Sequence, residues 1–181
     1  MTVSIKEKFN KRTVEEMKKE FGMKNCMQVP RVTKVVVNVG IGKFTKDKNQ
    51  VDEVKESVKF ITGQAPVLTK AKQSISGFKV RQGMEVGVKT TLRGTRMWNF
   101  IEKLVSAAIP RIKDFRGLNA RNVDDNGNLN IGLKEHMIFP EIIPEQVKNI
   151  FGLQITIVTT AKNKEQGLKF FKAMGFPIKN E

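Results

Sequence analysis

Residues 34–41 read Lys-Val-Val-Val-Asn-Val-Gly-Ile, and this stretch decides the fold. Side chains alternate between the two faces of a β-strand, so one face of this strand carries Val35, Val37, Val39 and Ile41. The opposite face carries Lys34, Val36, Asn38 and Gly40. Strands buried on both faces of a parallel sheet are apolar throughout, whereas a one-sided strand is typical of an antiparallel sheet. The stretch therefore predicts a sheet with one covered face and one polar, open face.

The same alternation continues outward along the chain. It recurs in segments 86–93, 128–134 and 153–160, with a shorter strand near 65–71. Capping residues predict four helices, which begin near Ser4 (a capping box with Glu7), Asp47, Thr95 and Asn163 and end at Gly22, Gly63, Pro110 and Gly175. The stretches 73–83 and 116–127 are predicted to be long loops on the rim of the sheet. We therefore expect an α+β fold over residues 1–181, a single domain whose mostly antiparallel sheet has helices on one face.

The charge of the chain is large and unevenly placed. Its 181 residues include 33 Lys and Arg against 18 Asp and Glu, which gives a net charge of +15 and a pI near 10.0. Residues 31–121 hold 19 basic and 7 acidic side chains, a net of +12, whereas residues 122–181 hold 7 of each. A merely solubilising surface needs no such asymmetry. The distribution predicts a polyanionic partner on one part of the fold.

The side chains needed for catalysis or metal binding are scarce. His136 is the one histidine and is predicted to be a structural or surface imidazole, because no partner for acid–base work can be identified. Asp124 and Asp125 lie in an Asp-Asp-Asn-Gly sequence that predicts a hairpin turn, and no Cys or His cluster suits zinc. We expect no enzyme, no cofactor and no metal.

The turn Gly40-Ile41-Gly42 follows a strand and leaves one enzymatic alternative open. A dinucleotide-binding loop would place its third glycine at position 45, which is Thr45. The preferred interpretation is that the two glycines let the chain leave the strand. The alternative is an enzyme that acts on a phosphorylated substrate.

The sequence also predicts a cytoplasmic location. Cys26 is the one cysteine, so the chain forms no internal disulfide and suits a reducing compartment. The stretch MTVSIKEKF lacks the apolar run of a signal peptide, and no segment has the roughly 18 apolar residues of a membrane span. We expect no membrane partner.

RNA binding fits the residues that remain. The predicted open face carries Lys34, Asn38, Lys89, Thr91 and Arg93, which suit phosphates, base edges and the ribose 2′-hydroxyl. This face has no aromatic platform for splayed bases, so it is predicted to recognise the backbone and shape of a folded RNA. The loop 70–83 adds Lys70, Lys72, Lys79 and Arg81 without any acid. Its Phe78 is either a base-stacking residue or a buried anchor.

Several segments, in collinear order over nearly the whole chain, resemble the fifth protein of the bacterial large ribosomal subunit, which binds 5S rRNA. They are MQVPR (27–31), VKFITGQAPVLTKAKQS (58–74), ISGFKVRQG (75–83), TLRGTRMW (91–98), PRIKDFRGL (110–118), IFPEI (138–142), and 156–161 with the last helix. The main departure from the family pattern is Ala65, where a basic residue is usual.

The resemblance implies an anchor for 5S rRNA in the central protuberance, among neighbouring large-subunit proteins. It implies rRNA contacts by Asn38, Gln64 and Thr91, with phosphate contacts by Lys34, Lys89 and Arg93. The loop with Lys72, Gln73, Ser74, Phe78, Lys79, Arg81 and Gln82 resembles the loop that reaches the elbow of the peptidyl-site tRNA. The region from Arg111 to about His136 resembles the part that faces a small-subunit head protein at an intersubunit bridge. A free-standing RNA chaperone or translational regulator is the alternative.

Overall fold

This computed structural model describes residue 9 and residues 13–42 and 47–179, a part of the chain with four α-helices and five strands. The helices in this part are α1 (Val14–Phe21), α2 (Lys48–Thr62), α3 (Gly94–Lys103) and α4 (Lys164–Ala173). The strands are β1 (Val32–Gly40), β2 (Val67–Lys70), β3 (Glu85–Leu92), β4 (Leu129–Leu133) and β5 (Leu153–Thr159). They form one antiparallel sheet in the order β2-β3-β1-β5-β4. The predicted α+β class is confirmed.

Strand β1 has the one-sided burial that its sequence predicts. Val35, Val37 and Val39 are at most 1% exposed, whereas Asn38 on the opposite face is exposed. Burial of each valine contributes about 1.5–3 kcal/mol, so this face alone fixes which side of the strand is covered. A register slip of one residue would expose all three valines.

Helix α2 begins and ends where its sequence predicts. The side chain of Asp47 accepts a hydrogen bond from the Asn49 N–H at 3.0 Å and caps the first turn. Gly63 ends the helix with a left-handed φ of 65°, and its N–H donates to the Lys59 carbonyl at 2.8 Å. The stripe predicted from its spacing is buried and comprises Val51, Val54, Val58 and Ile61.

The prediction that Thr95 caps helix α3 is wrong. The helix already begins at Gly94, after Arg93, and no side chain caps it. The observed helix begins two residues earlier than a Thr95 cap predicts, at Gly94 with a left-handed φ of 60°, and Thr95 lies inside its first turn. Beyond Lys103 the chain continues as a π-helical turn, Leu104–Ala108, and a 3-10 turn, Ile109–Arg111, so that the helical path reaches the predicted Pro110. The capping box of Ser4 and Glu7 lies outside the described residues.

The chain forms two compact units. One is built from the described residues of 1–35, 93–131 and 156–181. Its core is aromatic: Phe170 and Phe171 meet edge to face with centroids 5.4 Å apart, and Phe171 meets Phe176 in the same way. Helix α1 packs on α4, where Lys169 forms an ion pair with Glu20 at 2.7 Å.

The second unit comprises residues 36–92 and 132–155. In it the apolar stripe of α2 packs against β3, which contributes the fully buried Val88 and Leu92. This packing covers one face of β3 and leaves Lys89 on the other face exposed. That the chain folds as a single domain stays a prediction. Among the described helices, none is both long and apolar enough to cross a membrane.

Candidate nucleic-acid interface

The open face of the second unit brings together polar residues from three strands. Lys89 is exposed and Thr91 is half-buried on β3, and Asn38 is exposed on the next strand, β1. On the other side of β3, the β2 register places Val67 opposite Lys89 and Thr69 opposite Gly87. The face therefore presents one ammonium group and the exposed Val67 among short amide and hydroxyl groups, and its polar groups suit phosphate and ribose contacts.

Gly87 lets the neighbouring polar side chains close over the middle of this face. A Cβ atom at this position would lie 2.7 Å from Thr69 Oγ1, 3.2 Å from the Val39 carbonyl oxygen and 3.9 Å from Asn38 Oδ1. The first two distances are shorter than an ordinary van der Waals contact, so a side chain here would displace the Thr69 hydroxyl and press on the Val39 carbonyl. Glycine thus permits the close approach of Thr69 and of the β1 backbone, and its backbone angle is not an unusual one.

Gln64 is held at the rim of the same face. It follows the αL residue Gly63, and its N–H is 3.4 Å from Thr62 Oγ1. The hydroxyl of Thr62 in turn donates to the Val58 carbonyl at 2.7 Å. The Gln64 side-chain Nε2 donates to the Thr91 carbonyl at 3.1 Å. This bond fixes the orientation of the amide and directs its Oε1 away from Thr91, as an acceptor for an RNA hydroxyl or amino group.

Two predicted phosphate partners belong to the other compact unit. Lys34 is half-buried on β1, on the same side of that strand as Asn38. Arg93 is the exposed residue before α3, whose first turn contains no acidic residue. The structure thus groups Asn38, Gln64, Lys89 and Thr91 in one unit and places Lys34 and Arg93 in the other.

The connection between β2 and β3 is an ordered hairpin and not an irregular loop. At its base, the Ala71 N–H donates to the Met84 carbonyl at 2.8 Å and the Gly83 N–H donates to the Ala71 carbonyl at 3.0 Å. Further out, Ser74 Oγ accepts from the Gln82 N–H at 2.9 Å. These bonds order the backbone of the segment that carries the predicted tRNA-contact residues. All of these residues are exposed: Lys72, Gln73, Ser74, Phe78, Lys79, Arg81 and Gln82.

The tip of the hairpin exposes its largest apolar side chain. Ile75 and Val80 exchange backbone hydrogen bonds of 2.9 and 3.2 Å, and a 3-10 turn, Ser76–Phe78, closes between them. Lys79 follows in the left-handed region with a φ of 54°. Phe78 is 79% exposed, so the alternative that it is a buried anchor is wrong for this chain by itself.

The region from Arg111 to His136 includes the predicted hairpin turn. The Gly127 N–H donates to the Asp124 carbonyl at 3.0 Å, and Asp124 Oδ1 accepts from the Asn128 N–H at 2.7 Å. Asp124 therefore stabilises the turn, as expected. Among the described residues, no group of three or more His, Cys, Asp or Glu side chains is placed to hold a metal ion.

His136 is a structural residue of the second unit. It is 1% exposed, and its ring lies parallel to that of Phe151 with centroids 3.9 Å apart. Burial lowers the pKa of His136, although the nearby Phe151 N–H group and the Glu53 charge oppose this shift. The imidazole is therefore neutral at physiological pH and packs as an aromatic ring.

Glu53 links α2 to the chain after residue 146. Its Oε1 accepts from the Lys148 N–H at 3.1 Å and lies 3.4 Å from the Asn149 N–H, and its Oε2 accepts from Asn149 Nδ2 at 2.9 Å. Burial opposes ionisation of this carboxyl group, but these hydrogen bonds outweigh it and hold its pKa below the ordinary value of 4.5. Sequence analysis missed this anchor because the partners are 96 residues apart.

Sequence analysis also missed Thr69 as part of the open face. The segment 67–70 reads Val-Leu-Thr-Lys, which has no clear one-sided alternation, so its facing could not be assigned. The β2–β3 register places Thr69 opposite Gly87. A glycine in the middle of an alternating strand was the available signal, since it often marks the close approach of a neighbour.

Comparison with known proteins supports the same interpretation. Residues 25–81 match the family model described as ribosomal protein L5, and residues 85–178 match the model of the C-terminus of that ribosomal family. The chain is 48% identical to the large ribosomal subunit protein uL5 of Fervidobacterium nodosum over 179 residues, which cover 99% of this chain and 97% of that protein. The uL5 proteins of Thermosipho melanesiensis and Kosmotoga olearia are also 48% identical, over 99% and 98% of this chain and 98% and 97% of theirs.

The basic α+β fold, its polar open face and these matches define an RNA-binding structural protein of the large ribosomal subunit, which is not an enzyme. The chain belongs to the ribosomal protein L5 family. Its partners are accordingly ribosomal RNA and other ribosomal proteins. In the Gly40–Gly42 turn, the Ile41 N–H donates to the Val86 carbonyl of β3 at 3.0 Å, so the pairing of the two strands continues into the turn.

Proposed function

We propose that this protein binds 5S rRNA through its open sheet face and helps to attach that RNA in the central protuberance of the cytoplasmic bacterial ribosome. The observation that carries the proposal is the grouping of Asn38, Gln64, Lys89 and Thr91 on the open face of one compact unit. These groups donate and accept hydrogen bonds at fixed positions, as recognition of a folded RNA requires. Lys34 and Arg93 are proposed as additional phosphate contacts.

Two further contacts are part of the proposal. The hairpin 71–83 contacts peptidyl-site tRNA, which is supported by its exposed basic side chains and its internally bonded backbone. The region from Arg111 to about His136 faces a small-subunit head protein. This region holds five basic and four acidic residues, a near balance that suits a protein neighbour better than a polyanion.

The 5S rRNA contact is tested by alanine substitution on the open face. Asn38→Ala and Thr91→Ala should each weaken binding of the full-length protein to purified 5S rRNA by about five- to tenfold, because each loses one polar contact of roughly 1 kcal/mol. Asn119→Ala is the matched control, since Asn119 is exposed and its side chain caps no helix. Wild-type affinity in both open-face variants would contradict the proposal. Crosslinking of the complex should recover peptides from β1 and β3.

A further inference from the structure

We infer that the hairpin tip is a stacking wedge: Phe78 lies flat on the exposed face of a nucleobase at the end of a base stack, while the flanking basic residues bind phosphates. The inference rests on the proposed tRNA contact and specifies its chemistry. The contacted feature is an uncovered base or base pair of a folded RNA, not a groove or a backbone segment.

The first argument is that the Phe78 side chain is exposed to solvent. Phe78 is 79% exposed and Ile75, three residues earlier, is 49% exposed. The Phe78 N–H donates to the Ile75 carbonyl at 3.3 Å, so both residues belong to one short turn at the end of the hairpin. Removal of a phenyl ring from water is favourable, and this ring forgoes that gain in the isolated protein. An external flat apolar surface would restore it.

The second argument is that the backbone holds the ring in place. Hydrogen bonds connect the two sides of the hairpin at three successive pairs, which are Ala71–Met84, Ser74–Gln82 and Ile75–Val80. Lys79 has a left-handed conformation, which is costly for a residue with a Cβ atom and completes the turn after Phe78. A side chain held on such a support loses little conformational entropy on binding.

The third argument is the surrounding charge. Lys70, Lys72, Lys79 and Arg81 are exposed, and residues 70–84 contain no acidic side chain. An aromatic ring flanked by cations is the combination that binds nucleic acid by stacking and phosphate contact together. The charge favours RNA over an apolar pocket of a protein neighbour, which would have to bury these cations without partners.

The test measures tRNA binding to large subunits that carry the full-length protein, over a range of salt concentrations. Phe78→Ala should weaken tRNA binding by roughly five- to hundredfold, because one base–aromatic stack is lost. Phe78→Trp should bind as well as wild type or better, and Phe78→Leu should remain clearly weakened, since leucine is apolar but cannot stack. Incorporation of each variant into the subunit serves as the folding control.

The salt dependence separates stacking from charge. The slope of log affinity against log salt should be unchanged in the Phe78 variants and shallower in Lys79→Ala, which loses a phosphate contact. A second measurement uses the chain with Trp98→Phe and Phe78→Trp, which has one tryptophan, at the tip. Its fluorescence should be quenched when tRNA binds.

The results expected for these variants test the stacking role of Phe78 separately from the proposed tRNA contact. If Lys72→Ala with Arg81→Ala weakens tRNA binding but Phe78→Ala does not, the tRNA contact stands and the wedge is refuted. If Phe78→Leu binds like wild type, the tip makes a general apolar contact and stacking is refuted. If none of these variants changes tRNA binding, the proposed tRNA contact itself is wrong.

Discussion

At the scale of single residues, the open face depends on the missing side chain of Gly87 as much as on its polar groups. Gly87 lies between Thr69 and Asn38 and allows both to reach across the centre of the face. Lys89 and Thr91 continue along the same strand, separated from Gly87 by one and two buried residues of the opposite face. The geometry of the proposed RNA contact therefore depends on a position that carries no side chain.

We expect Gly87→Ala to destabilise the protein by about 1–3 kcal/mol, because its Cβ atom would overlap Thr69 Oγ1 at 2.7 Å and press on the Val39 carbonyl at 3.2 Å. Affinity for 5S rRNA should fall as well, since the Thr69 hydroxyl must leave its position on the open face. Denaturant unfolding and RNA titration measure the two effects. Gly40→Ala is the control, as a Cβ atom there meets nothing within 4 Å. Equal stability of the two variants would argue against the close approach.

At the scale of elements, helix α2 supports both surfaces of its unit. Its C-terminal end positions Gln64, which bonds to the Thr91 carbonyl. Its polar side presents Glu53 to Lys148 and Asn149. One helix thus connects the rim of the proposed RNA face with a segment on the other side of the unit. The sequence predicts its caps and its apolar stripe, but not which partners its polar residues select.

Glu53→Gln should destabilise the protein by about 1–2 kcal/mol, because bonds from the Lys148 N–H and the Asn149 amide to a charged acceptor are weakened. Amide exchange at Lys148 and Asn149 should become faster. Glu56→Gln, a change at an exposed position of the same helix, should have little effect. Slow exchange at both amides in Glu53→Gln would show that the carboxylate does not hold this segment.

The sign of the pH effect follows from the same carboxyl group. Its pKa is lower in the folded protein than the ordinary value of 4.5, so its ionised form stabilises the fold above that value. The stabilisation is lost as the pH falls through the folded pKa. The unfolding free energy of wild type should therefore decrease more steeply below about pH 5 than that of Glu53→Gln.

At the scale of the whole molecule, the excess positive charge lies in the part of the chain that carries the proposed RNA contacts. The net +12 of residues 31–121 includes the open face and the hairpin, whereas residues 122–181 are neutral. A ribosomal protein must meet both RNA and protein neighbours, and only the RNA contacts profit from excess positive charge. The zero net charge of residues 122–181 avoids electrostatic repulsion where no phosphate group is available as a partner.

Binding to 5S rRNA should weaken steeply with salt, since each neutralised phosphate releases counterions. Lys34→Gln combined with Lys89→Gln should reduce the slope of log affinity against log salt by about 1.5, or roughly 0.7–0.9 for each contact. The control is Lys162→Gln, a change at an exposed lysine of the neutral remainder, which should leave the slope unchanged. An unaltered slope in the double variant would remove both lysines from the RNA contact.

The sequence by itself determined the main elements and the facing of every strand except β2. The period-two pattern of 34–41 and the capping residues Asp47 and Gly63 act over a few neighbouring residues, so local rules are sufficient to predict them. The family resemblance named the polar residues of the face. The start of α3 was misplaced by two residues, because the helix follows Arg93 and is not capped by the hydroxyl of Thr95.

Only the tertiary structure decided which distant residues meet. The approach of Thr69 to Gly87, the bond from Gln64 to Thr91 and the anchor from Glu53 to Asn149 join parts of the chain that no local pattern relates. The exposure of Phe78 belongs to the same class, because an aromatic residue in a loop is buried or exposed according to what packs against it. Periodicity specifies the side of an element on which a residue lies, whereas its contacts depend on register and packing across the fold.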